Sequence, residues 1–327
     1  MSPFDRIPVL ISFVEQVKMV ETYGFSGSQG KTILEGQRLA PKDKPSDTVF
    51  LFMHPASTLH LLPMPVALAE AGLHVLCAAS RYMKNDSPLI MEKVVVDLGQ
   101  TIRHAKQELG YRKVILVGWS GGGSLSLFYQ GQAERPSITH TPAGDPYDLT
   151  AAGLTPADGV IFIAAHLSRA ETLTEWLDPS MRDELAPDRR DLELDIYDKA
   201  CPDQPPYTKE FIARFRAAQV ARNRRITDWA LELLETLKQK NDGEMERAFV
   251  VHRTMCDVRW MTRRWTRTAA SPTGATSATR ASSTSVRSAW AASAPCARGC
   301  RSGPTTSPTP RGRSTQRAFT RRRCCRS

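Results

Sequence analysis

KVILVGWSGGG, residues 113–123, sets a short apolar run against a cluster of glycines around one serine. The run Lys113–Val117 shows no alternation of polar and apolar residues, which is how a strand buried on both faces of a parallel sheet reads. Ser124–Gln130 continues with helical spacing, so Ser120 falls in a tight turn between strand and helix. That is the context G-x-S-x-G requires, here Gly118-Trp119-Ser120-Gly121-Gly122. A turn of this kind strains the serine backbone and sets the hydroxyl at a helix N-terminus, where backbone N–H groups can receive an oxyanion. The motif alone is short, and a surface turn can carry it; its flanking elements give it weight.

Outward from the turn, Thr48–Met53, His74–Ala78 and Gly159–Ala165 are further short apolar runs. Thr58–Gly72 and Met91–Gly110 separate them with helical spacing, and each ends in glycine, a stop signal. Alternating strand and helix predicts an α/β fold, a mostly parallel sheet with flanking helices and right-handed crossovers. Tyr23–Leu39 is expected to add a hairpin at the sheet edge. From Ser168 to about Asp242 the chain is charged, helical in period and broken by turns such as Pro202–Pro206, with Phe211–Lys240 as one long bent helix or two. Such an insertion reads either as a lid over one end of the sheet or as a peripheral helical layer. Cys77 lies in a strand run and reads as core, and Trp119 as pocket lining or packing.

A second motif agrees with the first. The run Thr48–Met53 leads straight into His54-Pro55-Ala56-Ser57. With both motifs in place, residues 20–165 resemble the α/β-hydrolase superfamily of serine esterases and lipases, in which the loop after an earlier strand begins His-Gly. The resemblance implies that Ser120 is the nucleophile and that the Gly121 and Ala56 amides hold the oxyanion. Pro55 replaces the glycine, and proline has no N–H to offer, but the implied donor is the next residue. The implied substrate is a small molecule with an ester or related acyl bond, with no cofactor and no metal. Acyl transfer, carbon–carbon bond hydrolysis and a non-catalytic role share the scaffold, so fold does not decide among them. The resemblance also implies an acid and then a histidine later in the chain. Neither is identifiable: the last histidine is His252 and the last acidic residue Asp257. His54, His60 and His166 read as structural hydrogen-bonders, and His252 as part of the insertion.

The formal charge of +10 suggests a nucleic-acid partner until its distribution is examined. Residues 262–327 hold 14 arginines and no Lys, Asp or Glu, leaving 30 basic against 34 acidic residues, net −4, in residues 1–261. The tail also lacks Leu, Ile, Asn, His and Tyr, so it cannot bury a core and is expected to be disordered. It reads as a basic arm for phosphate backbones or, with better economy, as GC-rich coding DNA translated out of frame. Thr262–Ala269, if written ACC CGG CGG TGG ACC CGA ACG GCC behind a G, becomes Asp-Pro-Ala-Val-Asp-Pro-Asn-Gly in the shifted frame, a choice of third bases that restores missing residue types. With a suitable choice Arg321–Cys325 can recode as Ala-Pro-Thr-Leu-Leu, a loop entering a strand. The expected organisation is a hydrolase core over 1–166, a helical cap over 167–258 and an out-of-frame tail over 259–327, with the C-terminal part of the fold incomplete. No basic leader or apolar run of membrane length stands out, and the seven cysteines show no disulfide or zinc spacing, so a cytoplasmic location is expected.

Overall fold

The computed structural model describes residues 2–15, 31–241 and 247–259, and the backbone of 282–285. Six strands form one sheet: β1 Phe4–Val14, β2 Lys31–Pro41, β3 Thr48–His54, β4 His74–Ala79, β5 Lys113–Trp119 and β6 Gly159–Ile163, in the order β1-β2-β4-β3-β5-β6. β4, β3, β5 and β6 run parallel, while β2 pairs antiparallel with both β1 and β4. The fold is therefore α/β with a mostly parallel sheet. The expected edge hairpin is present but starts earlier than Tyr23–Leu39: β1 supplies its first arm, and residues 16–30 lie outside the described residues. The apolar run Ile7–Val14 falls in β1, an edge strand with Phe4, Val9 and Ile11 buried and Leu10 and Val14 exposed.

Alternation along the central strands builds two cores. Val49, Leu51 and Met53 of β3, Leu76 and Ala78 of β4, and Val114 and Leu116 of β5 face one side, against helices α2 Met91–Gln107 and α3 Gly121–Glu134. Phe52, Val75, Cys77 and Val117 face the other, against helix α1 Pro63–Glu70. On α2, Val94, Val95, Leu98, Ile102 and Ala105 are fully buried, and each larger side chain contributes roughly 1.5–3 kcal/mol by leaving water. α1 is shorter than Thr58–Gly72 because Pro63 and Pro65 suit only a helix's first turn. At its far end Gly72 turns the chain at φ 92°. Among the described residues β6 is the sheet's last strand, and Ile161 and Phe162 on it stay 41% and 52% exposed.

Glu92, near the start of α2, is 4% exposed, and its Oε2 has no hydrogen-bond partner. Burial pushes its carboxyl from an ordinary 4.5 up to about 7. Between those values the unfolded chain releases the proton while the folded chain keeps it, so this group lowers stability as pH rises through the window, by about 3 kcal/mol in all. Glu92→Gln should therefore stabilise the protein at pH 8 by up to roughly that amount and change little below pH 4.5. Urea melts at the two pH values read the difference; equal melts at pH 8 would mean that Glu92 is solvated.

Beyond β6 come α4 Arg169–Trp176 and α5 Lys209–Lys240. α5 is one helix of 32 residues, not two, capped by the Thr208 hydroxyl accepting from the Phe211 N–H and closed by Asn241 in the left-handed region. Its buried stripe runs Phe211, Phe215, Gln219, Arg222, Ile226, Ala230, Leu234. The two polar members hold loops in place. Gln219 Nε2 donates to the carbonyls of Glu175, Leu177 and Cys256, and Arg222 donates to Glu184 and the carbonyls of Asp178, His252 and Arg253. A two-stranded pair, β7 Ala248–Val251 with β8 Ser282–Ser285, makes four tail residues an exception to the expected absence of structure there. The remainder of the tail, and with it the frameshift reading, lies outside the described residues. No helix among the described residues is long and apolar enough to cross a membrane, and no group of three or more metal-ligating side chains occurs among them.

Candidate active site

Ser120 ends β5 and caps α3 with φ 53° and ψ −125°, the strained turn that the glycine cluster predicts. Three flanking glycines explain how the strain is held. A Cβ on Gly118 would lie 2.5 Å from the Gly123 Cα, and one on Gly122 would lie 2.5 Å from the Met53 carbonyl oxygen of β3. A Cβ on Gly123 would collide with Ala165. At Gly118 and Gly122 backbone is packed on backbone, and at Gly123 on the Ala165 methyl, so nothing flexible can yield. Gly122→Ala is therefore expected to cost at least 1–3 kcal/mol, the usual range for overpacking. It should also impair any Ser120 chemistry out of proportion to its single methyl. Thermal melts check the first claim, and an unchanged melting temperature contradicts it.

Hydrogen bonds tie the elbow to the neighbouring strand. The Ser120 N–H donates to the Ile163 carbonyl (3.3 Å), and the Ser120 carbonyl accepts from the N–H groups of Gly123 and His166 (both 3.0 Å). Just past β6 the chain turns sharply at Ala164, φ 46°, which tucks Ala165 under Gly123. The same turn brings His166 Nε2 to 3.5 Å from Ser120 Oγ, with the imidazole edge-on to Trp176, ring centroids 6.0 Å apart. Sequence reasoning set His166 aside as a structural hydrogen-bonder. The signal that could have found it is register: Ile163 lies opposite Trp119, so residues just after β6 must emerge beside the elbow. His252, by contrast, directly follows β7, its carbonyl bonded to Arg222, and the His60 carbonyl takes Arg6 at the opposite end of the sheet order.

The loop to which the sequence reading assigns the oxyanion follows β3 and is fastened from below. Ser80 Oγ donates to the Pro55 carbonyl (2.5 Å) and the Lys84 N–H to the Ala56 carbonyl (2.9 Å). Gly121 is the first residue of α3, so its N–H has no partner within the helix. The Ala56 N–H, in contrast, donates to His54 Nδ1 at 3.1 Å. His54 is tilted against Trp119, ring centroids 6.2 Å apart, and its Nε2 is the nearest atom, 2.9 Å, to where a Cβ on Gly121 would stand. Burial, with the charges of Arg169 and His166 nearby, pushes the His54 imidazole down to about 4. Trp119 itself lines an apolar cavity of about 350 Å³ with Phe52, Leu62, Met64 and Ile163 among its walls. Cys77 is core, as expected, its thiol pushed up to about 12 by burial.

No family model matches the chain, and no curated protein matches it. Among solved structures, a thermostable carboxyl esterase from Bacillus coagulans is 13% identical over 41% of this chain and 42% of its own, TM-score 0.28. Lipase A of Candida antarctica, in its closed state, is 13% identical over 55% of this chain and 42% of its own, TM-score 0.35. A hypothetical protein from Pseudomonas aeruginosa is 11% identical over 74% of this chain and 55% of its own, TM-score 0.36. The chain thus spans about half the length of these structures, and likenesses so distant carry nothing about activity. On the order of its own sheet and the geometry of its own elbow, the chain has an α/β-hydrolase-like fold.

Proposed function

We propose that the chain is a serine hydrolase of ester or related acyl bonds, with Ser120 as nucleophile. The observation that carries this reading is a serine in a strained strand-to-helix turn with an imidazole nitrogen 3.5 Å from its hydroxyl. Ser120 Oγ attacks the acyl carbon while its proton passes to His166 Nε2. The developing oxyanion is met by the Gly121 N–H, and collapse expels the leaving group, which takes the proton back from His166. Water then attacks the acyl-enzyme by the same route. Apo hydrogen bonds of this kind are commonly long and tighten with substrate bound. Residues 167–258 act as the cap over this edge of the sheet, a role supported by Arg169 at the start of α4 reaching Asp86 beyond β4.

Among the described residues no carboxylate hydrogen-bonds His166. A serine–histidine pair lacking its acid loses about 10⁴-fold in turnover, so slow hydrolysis is the expectation for this chain. Covalent capture is the better test. The full chain incubated with a fluorophosphonate should gain one adduct, found on Ser120 by peptide mass spectrometry. An unmodified chain, or an adduct elsewhere, overturns the proposal in favour of a non-catalytic hydrolase-like protein.

A further inference from the structure

We infer that the side chain of His54 is itself an oxyanion donor, offering its Nε2–H in the place that the sequence assigns to the Ala56 amide. The inference rests on the serine-hydrolase reading of Ser120. Its starting point is the hydrogen bond from the Ala56 N–H to His54 Nδ1, 3.1 Å long. That bond has two consequences. The backbone donor expected to face the substrate is already engaged. And because Nδ1 is the acceptor, in the neutral ring the hydrogen must sit on Nε2.

Nε2 is also the atom that points at the elbow. It lies 2.9 Å from the position of a Cβ on Gly121, closer than either of its ring neighbours at 3.5 Å. A Cβ stands two bonds from its own backbone nitrogen, so His54 Nε2 and the Gly121 N–H are close neighbours over one spot, and a single oxygen can touch both. Trp119 on one side and the engaged Nδ1 on the other fix the ring. The groups acting on it are Arg169 and His166, which disfavour a charge, and Asp86, which favours one; burial, the largest influence, adds to the first two, outweighs Asp86 and keeps the ring neutral above about pH 4. A neutral donor suits the task, since it stabilises the oxyanion without surrendering a proton, and the proton from Ser120 is left to His166. The Ala56 N–H, donating to Nδ1, polarises the ring from behind.

The geometry also accounts for Gly121. A side chain there would meet His54 Nε2, so the position is kept open for the imidazole as well as for the turn.

Two substitutions divide the roles of the two ring nitrogens. His54→Asn places an oxygen where Nδ1 stands and keeps a partner for the Ala56 N–H, but it has nothing at Nε2. His54→Gln places an amide N–H near Nε2 and leaves Ala56 without its partner. The readout is the rate of fluorophosphonate capture at Ser120 by the full chain. We expect His54→Asn to slow it about 10²–10³-fold, the usual cost of one lost oxyanion donor, and His54→Gln to recover part of the loss. If His54 were merely loop packing and the Ala56 amide the true donor, His54→Asn, which keeps that amide engaged, would be captured at the wild-type rate and His54→Gln, which frees it, at the wild-type rate or faster; either result overturns the inference. A wild-type chain that is not captured at Ser120 removes the hydrolase reading itself, a different failure. Imidazole ¹⁵N resonances of the wild-type protein at pH 7 give an answer independent of how the variants fold. A protonated Nε2 beside a bare Nδ1 is expected, and the opposite tautomer overturns the inference.

Discussion

Ser120→Ala is expected to abolish fluorophosphonate capture, and His166→Ala to slow it by about 10²–10⁴-fold, the range that general-base assistance contributes. The two effects differ in kind. Without the Ser120 hydroxyl no bond to phosphorus can form at the elbow, whereas without His166 the hydroxyl remains, weakly nucleophilic and still held at the helix N-terminus. His166 touches Ser120 through its ring and also through its backbone N–H, which accompanies the turn at Ala164. Truncating the ring leaves the backbone contact in place, so the folded structure should survive and the rate alone should fall. Stopped incubations resolved by intact mass give both rates. Capture of His166→Ala at the wild-type rate would show that the proton leaves by another path, and the base would then have to be sought among residues outside those described.

The second large effect is on stability. Asp97, fully buried in α2, accepts three hydrogen bonds from Arg81: from its backbone N–H (2.9 Å), Nε (3.0 Å) and Nη2 (2.7 Å). Arg81 Nη1 reaches Glu15 at 2.6 Å, and Glu15 accepts from the Tyr147 hydroxyl, so one guanidinium joins the end of β1, the end of β4, α2 and the loop after α3. Asp97→Ala leaves that guanidinium buried with half its partners and should cost about 3–5 kcal/mol. Replacing Arg81, Asp97 and Glu15 together with Met, Leu and Gln should cost less than the single change, because no uncompensated charge is left behind. Chemical denaturation of the three proteins decides it. A loss under about 1 kcal/mol for Asp97→Ala would mean that water reaches the pair.

The sheet and the strained turn at Ser120 were legible in sequence because both depend on local pattern. Continuous apolar runs marked β3, β4, β5 and β6, and glycines at 118, 122 and 123 announced a turn in which no side chain fits. β1 was not legible as the first arm of the hairpin, because nothing local to its apolar run Ile7–Val14 tells which strand it pairs with. The length of α5 was ambiguous for a related reason: Gln219 and Arg222 interrupt its apolar stripe, and only the loop carbonyls they satisfy reveal that the stripe continues. The approach of His166 to Ser120 was hidden because it is set by register between two parallel strands, and a single sequence carries no record of pairing. The state of the Ala56 amide was hidden more deeply still. Nothing in His-Pro-Ala tells that the imidazole folds back on its own loop.

The elbow's packing has a kinetic consequence. Met53 of β3, which closes on Gly122, and Ala165 just past β6, which closes on Gly123, are far apart in the chain, and their strands lie on either side of β5. Contacts of such long range form late, since the loops between them must close before any contact rewards the closure. Until β3 and β6 have both docked on β5, nothing holds Ser120 at positive φ, and a partly folded chain has no reason to keep its backbone there. A reagent that reacts only with the strained serine should therefore report completion of folding and not its early stages. In refolding, capture at Ser120 is expected to lag helix formation measured by circular dichroism and to rise with the last phase of sheet assembly.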